Sequence, residues 1–446
     1  MKKKNLTINI EIKKRELHSR MLLSLFAASE GFRVYIGNRP SVLWAIEKDV
    51  IKKTIFLDKS ISKAKYETLK LLKQKNHKIF SIDEEGGQVL NNYLPFLNVR
   101  SSKNHMKLIS GVFCWGNFDY FAWKKKYKNF SHKFYKTGSP RVDLWRNEIS
   151  SCYENDIKDL NKKYGKYILI TGNFAQGNSL INIKKHIKRN KIKSYIKTQK
   201  EIKNDLNFYK EDKKMFLEFI KLIRFLGQKL KQTKIVVRPH PVENLKSYKK
   251  LLKYNQNIVI DNSGYILPWI KASSVVIQNG CQTALETYGL NKPLLTYAPF
   301  KRGIFTSKKK TTPSKLSKNI KSKEQVLKYL LSKNSKQIKK RNNKIFDHRF
   351  HVSQKLSSEN IIKVLKKVMI EKNSGNMNPI KILMKNIKSK IRNIINIFYE
   401  SKLYLAKNEI IKLSDLIELK IKFSKYNKKF EKIKIKKIYE GLYQIN

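Results

Sequence analysis

The chemistry-bearing word of this chain is Arg238-Pro239-His240-Pro241, directly after the apolar run Ile235-Val236-Val237. A short β-branched run reads as a buried parallel strand, and proline just beyond it ends the ladder. A guanidinium and an imidazole are thereby expected at the carboxyl end of a central strand, the edge where open α/β sheets bind ligands. Both suit phosphate. The same residues also fit a basic strand end capped by prolines.

Four further groups carry chemistry. Gln278-Asn279-Gly280-Cys281-Gln282-Thr283-Ala284-Leu285-Glu286 follows the run Ser274–Ile277 and opens a helix. Gly280 permits a tight turn. The amides after it, with Gln282 and Thr283, suit an anion at a helix start, and Glu286 suits ribose hydroxyls. Asp83-Glu84-Glu85-Gly86-Gly87, after the run Lys78–Ile82, supplies three acids for a base or nucleophile; it also fits an acidic turn. Glu11, Arg15 and Glu16, after the first strand, could shape an acceptor pocket or a salt-bridged helix start. Gly138-Ser139-Pro140-Arg141-Val142-Asp143 and Thr171-Gly172-Asn173 sit at turns that could serve the site or cap helices.

The elements that must position these residues alternate. Strands are expected at Leu6–Ile10, Arg33–Ile36, Lys53–Leu57, Lys78–Ile82, Leu108–Cys114 and Lys133–Thr137, with helices at Leu17–Ser29, Lys63–Gln74 and Asn117–Lys126 between them. After a charged connector at Asn147–Tyr164, alternation restarts at Tyr167–Thr171 and runs to Pro293–Tyr297. This pattern implies α/β architecture with parallel βαβ units: two Rossmann-like domains, 1–150 and 151–370, with a cleft between them. Residues 301–320 read as a mobile loop, and 371–446 as a Lys-rich helical tail with runs at Ile380–Phe398 and Leu413–Lys422.

Composition sets bounds. The 446 residues carry 97 Lys and Arg against 34 Asp and Glu, a net charge of +63. The excess is mostly Lys, spread through every region beside abundant Asn and Ile, which fits a coding bias and solvated faces better than nucleic-acid binding. An anionic membrane surface or anionic substrate remains a partner for the Lys-rich faces. Three cysteines without CxxC spacing give neither a disulfide framework nor a zinc site, and suit a reducing cytoplasm. No secretory leader and no membrane-spanning run is expected. P-loop, GxGxxG, HExxH and GxSxG motifs are missing from the sequence, and no metal site is expected.

In order and spacing, Gly138-x-Pro-Arg-x-Asp, Arg238-Pro-His-Pro, and Asn279-Gly280 with Thr283 and Glu286 resemble GT-B proteins of bacterial surface polysaccharide synthesis. Two branches are similar: the surface carbohydrate proteins with capsule-type Kdo transferases, and the CDP-glycerol glycerophosphotransferases. Glu11-Ile-Lys-x-Arg-Glu16-Leu, Leu57-Asp58-Lys59-Ser60 and Asp83-Glu84-Glu85-Gly86 look more like the first. The resemblance covers roughly residues 5–300. It implies a donor site of Arg238, His240, Asn279, Gly280, Gln282, Thr283, Glu286 and Asn173, and an acceptor site of Glu11, Arg15, Glu16 and Arg141. Catalytic candidates are Asp83, Glu84, Glu85 and His240. The implied activity moves a sugar, Kdo-like, from a CMP- or UDP-linked donor to a glycan or lipid-linked acceptor of lipopolysaccharide or capsule, without a cofactor, in the cytoplasm or at the inner membrane. The second branch would instead transfer a polyol phosphate. It carries an Asp-Tyr-Ser-Ser type loop where this chain has Gln278–Thr283. A non-enzymatic binder of anionic polymer or membrane is the third expectation.

Overall fold

The computed structural model describes residues 3–88, 93–192, 198–253, 255–300, 316–332, 348–351, 353–370, 384 and 409–446. The chain divides into two compact units, one from Met1–Gly87, Asn92–Cys152 and Asn342–Asn446, the other built on Tyr153–Arg341.

In the first unit, six parallel strands lie in the order β2-β1-β3-β4-β5-β6: β1 Asn5–Ile10, β2 Arg33–Asn38, β3 Ile55–Asp58, β4 Lys78–Ile82, β5 Gly111–Cys114 and β6 Phe134–Lys136. Leu6, Ile8 and Ile10 are fully buried, as are Thr7 and Asn9 between them. Burial on both faces is what a central parallel strand covered by helices requires. β1 pairs with β2 on one side and β3 on the other, so the chain leaves it in opposite directions. That is the switch point where such sheets open a crevice beyond their strand ends.

The second unit has the order β9-β8-β7-β10-β11-β12, with β7 Tyr167–Thr171, β8 Lys234–Arg238, β9 Ile258–Ile260, β10 Val275–Gln278, β11 Leu294–Tyr297 and β12 Lys318–Ile320. Counted from β7, this is 3-2-1-4-5-6, the strand order of dinucleotide-binding sheets. Its switch point lies between β7 and β10. The helix Gln199–Lys229 buries Phe216, Phe219, Ile220, Ile223 and Leu226 on this sheet; it starts 16 residues before Met215, where the apolar spacing begins, because Thr198 and Glu201 form a capping box.

The carboxyl-terminal region departs from the expected organisation. The helix Lys323–Leu331 stays with the second unit, but the helix Ser357–Lys366 and everything described after it belong to the first. The chain ends in an antiparallel hairpin, β13 Ile435–Tyr439 and β14 Leu442–Ile445, and β14 pairs with β2. The tail is therefore helical only in part: Leu413–Ser424 forms as expected, whereas the run after it completes the sheet edge. Gly37 and Gly441 meet there, where a Cβ on Gly37 would lie 2.2 Å from the Gly441 carbonyl oxygen. All but Met384 of the expected helix at Ile380–Phe398, and most of the expected loop at 301–320, fall outside the described residues. Among the described residues, no helix is long and apolar enough to cross a membrane.

Candidate functional site

At the switch point of the first unit, β1 and β3 end in acids and a lysine that meet. Lys59 Nζ lies 2.8 Å from Glu11 and 3.5 Å from Glu16. Glu16 also accepts the Glu11 amide at 2.8 Å, which folds the strand end over the helix start. Lys59 and its neighbouring cations hold the Glu11 carboxyl low against the opposing effect of burial. Burial first, then the nearby Glu84, pushes Glu16 up. Asp58 beside them accepts from Lys65 at 2.8 Å and pairs with Arg39 at 3.3 Å. Those cations overcome burial and bring it to about 2.

The three acids after β4 are separated by their partners. Asp83 pairs with Arg100 at 2.9 Å, Glu84 with Arg20 at 2.6 Å and Arg141 at 3.7 Å, and Glu85 with Arg15 at 3.2 Å. Burial raises the Asp83 carboxyl despite Arg100, whereas Arg15 and Arg100 hold Glu85 low despite burial. Gly86 is required here, since a Cβ would press into the Trp115 ring at 2.8 Å.

This geometry corrects part of the expectation. Glu16 and Arg141 are buried and cannot touch an acceptor directly, and Glu84 is locked between two buried guanidiniums. A base at Glu84 would strand both cations in the interior. These three frame the edge. Glu11, Arg15 and Glu85 reach solvent, and the partly buried Asp83 accepts the Glu85 amide at 2.8 Å. Arg20, Arg39, Lys65 and Arg100 were missed from sequence. Arg20 had a signal, as a charge four residues after Glu16 inside an apolar helix stripe.

In the second unit, Arg238 ends β8 as expected but points away from the role assigned to it. Its guanidinium donates to the carbonyls of Ser263 at 2.7 Å and Gly264 at 3.2 Å, and stacks on Trp269 at 4.5 Å from the ring centre. Only 8% of it is exposed, and burial lowers it to about 10. It remains a cation that secures the loop after β9, so direct contact with a donor phosphate is corrected to positioning. His240 is half-buried, and its Nδ1 accepts the Val242 amide at 3.4 Å, which leaves the proton of a neutral ring on Nε2.

The loop after β10 is organised by Gln278. Its side-chain oxygen accepts the amides of Gly280 and, at 2.9 Å, Cys281, and its nitrogen donates to Thr296. The Cys281 amide, the first of those expected to cradle an anion, is therefore already engaged. Gly280 sits at φ 98°, where glycine is favoured. Thr283 begins the seven-residue helix Thr283–Gly289, and Gln282 and Glu286 are buried beside it. Across the switch point, Asn279 Oδ1 accepts the Asn173 amide at 3.2 Å and its Nδ2 donates to the Asn173 carbonyl at 3.4 Å. The expected residues Asn173, Asn279, Gly280 and Thr283 are thus brought to one edge.

Sequence reading missed Glu243. It is 2% exposed and accepts the amides of Phe174 at 3.0 Å and His240 at 3.3 Å, and the Tyr248 hydroxyl at 2.6 Å. It ties the loop after β7 to the loop after β8. Burial raises its carboxyl to about 7. Asp212 secures the same β7 loop through the amides of Gln176 and Gly177. Cys114, Cys152 and Cys281 are free thiols. No group of three His, Cys, Asp or Glu side chains among the described residues could hold a metal.

No protein-family model matches this chain, and no curated protein matches it. Solved structures do. UDP-GlcNAc 2-epimerase from Methanocaldococcus jannaschii, in complex with UDP-GlcNAc and UDP, is 14% identical, covering 82% of this chain and 100% of that one, with a TM-score of 0.51. The wall teichoic acid polymerase TagF is 11% identical over 82% of this chain and 89% of that one, with a TM-score of 0.51. The epimerase from Neisseria meningitidis, bound to UDP-GlcNAc, is 13% identical over 82% and 100%, with a TM-score of 0.50. At such identities the likeness is one of fold: two Rossmann-like units of the GT-B type.

Proposed function

We propose that this chain is a GT-B enzyme of cell-surface glycan synthesis that transfers a sugar, Kdo-like, from a CMP- or UDP-linked donor to a glycan or lipid-linked acceptor at the cytoplasmic face of the membrane. The observation that carries the reading is the pairing of Asn173 with Asn279 across the switch point of a 3-2-1-4-5-6 sheet, on the strand end next to His240. In this reading Asn173, Asn279, Gly280 and Thr283 line the donor, with Gln282 and Glu286 behind them. The His240 Nε2–H donates a hydrogen bond to the leaving phosphate and stabilises its charge. The first unit holds the acceptor through Glu11, Arg15 and Glu85. Asp83, whose burial raises its carboxyl, takes the proton from the attacking hydroxyl. No cofactor or metal is needed for such a transfer.

A screen of CMP-, UDP- and CDP-linked donors, with mass detection of released nucleotide, tests the proposal. Release from a nucleotide sugar supports it; no turnover with no nucleotide binding by calorimetry overturns it. The fold likeness to a wall teichoic acid polymerase favours one second reading, transfer of a polyol phosphate. Turnover of CDP-glycerol or CDP-ribitol in place of nucleotide sugars selects that reading.

A further inference from the structure

The helix Leu413–Ser424 is apolar on two opposite sides. Leu416, Leu419 and Phe423 are buried against the first unit. Ile417 and Ile421, one turn apart on the far side, are 41% and 59% exposed. At 3.6 residues per turn Ile421 stands near the middle of the solvent face, and Ile417 lies toward its border, about 20° round the helix from the buried Ser424. A helix that packs on one side needs no isoleucines there.

The surroundings of this pair are cationic. Residues 412–437 hold ten lysines and three acids. Lys425, one turn beyond Ile421, is exposed, as are Lys428, Lys429 and Lys432 in the turn that follows. Glu418, the acid nearest the pair, faces Lys422 at 3.6 Å. The helix is anchored to the first unit. Phe430 packs edge-on against Phe26 at 5.1 Å, and the Tyr443 hydroxyl donates to the Ile411 carbonyl at 2.7 Å, joining the helix entry to β14.

We infer that the outer face of Leu413–Ser424 docks on an anionic phospholipid surface, with Ile417 and Ile421 entering the headgroup boundary and Lys425, Lys428, Lys429 and Lys432 meeting lipid phosphates. Apolar side chains ringed by lysines fit that occupant. A second copy of this chain would bring a like-charged surface against this one. The inference does not depend on the donor reading, and it would place the first unit against a membrane.

A chain of charge +63 will bind anionic vesicles diffusely, so the test must separate this face from general attraction. Full-length protein is mixed with vesicles of phosphatidylcholine and phosphatidylglycerol, or of phosphatidylcholine alone, and sedimented at 0.1 and 0.5 M NaCl. The wild type is expected to keep measurable binding to the anionic vesicles at the higher salt. Ile417→Ser with Ile421→Ser should lose it about tenfold or more, the scale set by withdrawing two isoleucines from the interface. Both sites are exposed, so thermal melting should be unchanged. A dye on Ile421→Cys, corrected for label on Cys281, should shift to the blue on anionic vesicles only.

Three results overturn the inference. One is equal binding by the double variant. Another is sedimentation with vesicles but no dye shift. The third is conversion of a dimer to a monomer by the double variant with vesicle binding unchanged, which assigns the face to a second copy.

Discussion

The Asp143 carboxylate accepts both the amide and the hydroxyl of Ser358 at 2.8 Å, across 215 residues of chain, and the Ser357 amide at 2.7 Å. The last residue of the Gly138–Asp143 motif thereby caps the helix Ser357–Lys366. Gly138 makes the close approach possible, at φ 80° with Ser357 Oγ 2.3 Å from where its Cβ would be. Arg146 adds bonds to the carbonyls of Ser353 at 2.9 Å and Gln354 at 3.1 Å. The motif is a clasp for the returning chain.

Asp143→Ala removes the cap and leaves two buried amides unpaired, a loss of about 2–4 kcal/mol. Denaturant unfolding should show it. Hydrogen exchange should rise first over residues 357–366. Exchange that rises equally everywhere would contradict a local clasp.

Glu84 and Glu85 should answer substitution differently although they are adjacent. Glu84→Ala leaves Arg20 and Arg141 buried without their carboxylate, at about 3–5 kcal/mol. The Glu85 side chain is 48% exposed, and breaking its pair with Arg15 should cost at most about 1 kcal/mol. Circular dichroism melts of the two variants check this. If Asp83 is the base, Asp83→Asn should abolish turnover with the melt nearly retained, while Glu85→Ala chiefly weakens the acceptor.

The contrast shows where sequence reading stopped. Apolar β-branched runs placed β7, β8 and β10, because a strand buried on both faces leaves its mark on every residue. The runs also placed Asp83–Glu85, Arg238 and Asn279 at strand ends. Direction is another matter: nothing in Arg-Pro-His-Pro tells that the guanidinium turns to the carbonyls of Ser263 and Gly264 while the imidazole stays half-exposed. Nor does Pro-Val-Glu243-Asn announce a clamp, since the partners of Glu243 at Phe174 and Tyr248 come from two other elements. The final hairpin was hidden because its exposed Lys436 and Lys437 read as more of the Lys-rich tail, and its pairing with β2 spans the chain. Deleting 371–446 would therefore take β13 and β14 out of the sheet along with the rest of the tail.

Arg238 and His240 separate positioning from chemistry. Arg238→Ala strands the Ser263 and Gly264 carbonyls and loses the Trp269 stack, a destabilisation of about 2–4 kcal/mol. His240→Ala should change the melt by about 1 kcal/mol or less, since the ring is half-buried and its bond from the Val242 amide is long, at 3.4 Å. Under the proposed function it should lower kcat with KM for the donor little changed. An unaltered kcat in His240→Ala would remove the imidazole from the reaction.

Glu243 predicts a pH dependence whose sign follows from its environment. Burial raises the folded carboxyl to about 7 from an ordinary 4.5, so the fold favours the protonated form. Its contribution to stability is then fully present below about pH 4.5 and is lost as pH rises through about 7, by up to about 1.4 kcal/mol per pH unit in that window. Tyr248 on one helix and Asp212 on another face this carboxyl, and Asp212 adds to the upward shift. The Phe174 and His240 amides oppose it. Burial raises Asp119 to about 7 as well, so the informative quantity is the difference between wild type and Glu243→Gln. The amide keeps an oxygen for Phe174 and His240 and cannot ionise. Glu243→Gln should match the wild type near pH 5 and exceed it in stability at pH 8, with denaturant midpoints as the measure. A difference that shrinks as pH rises would mean that the amides of Phe174 and His240 hold the carboxylate ionised in the folded protein.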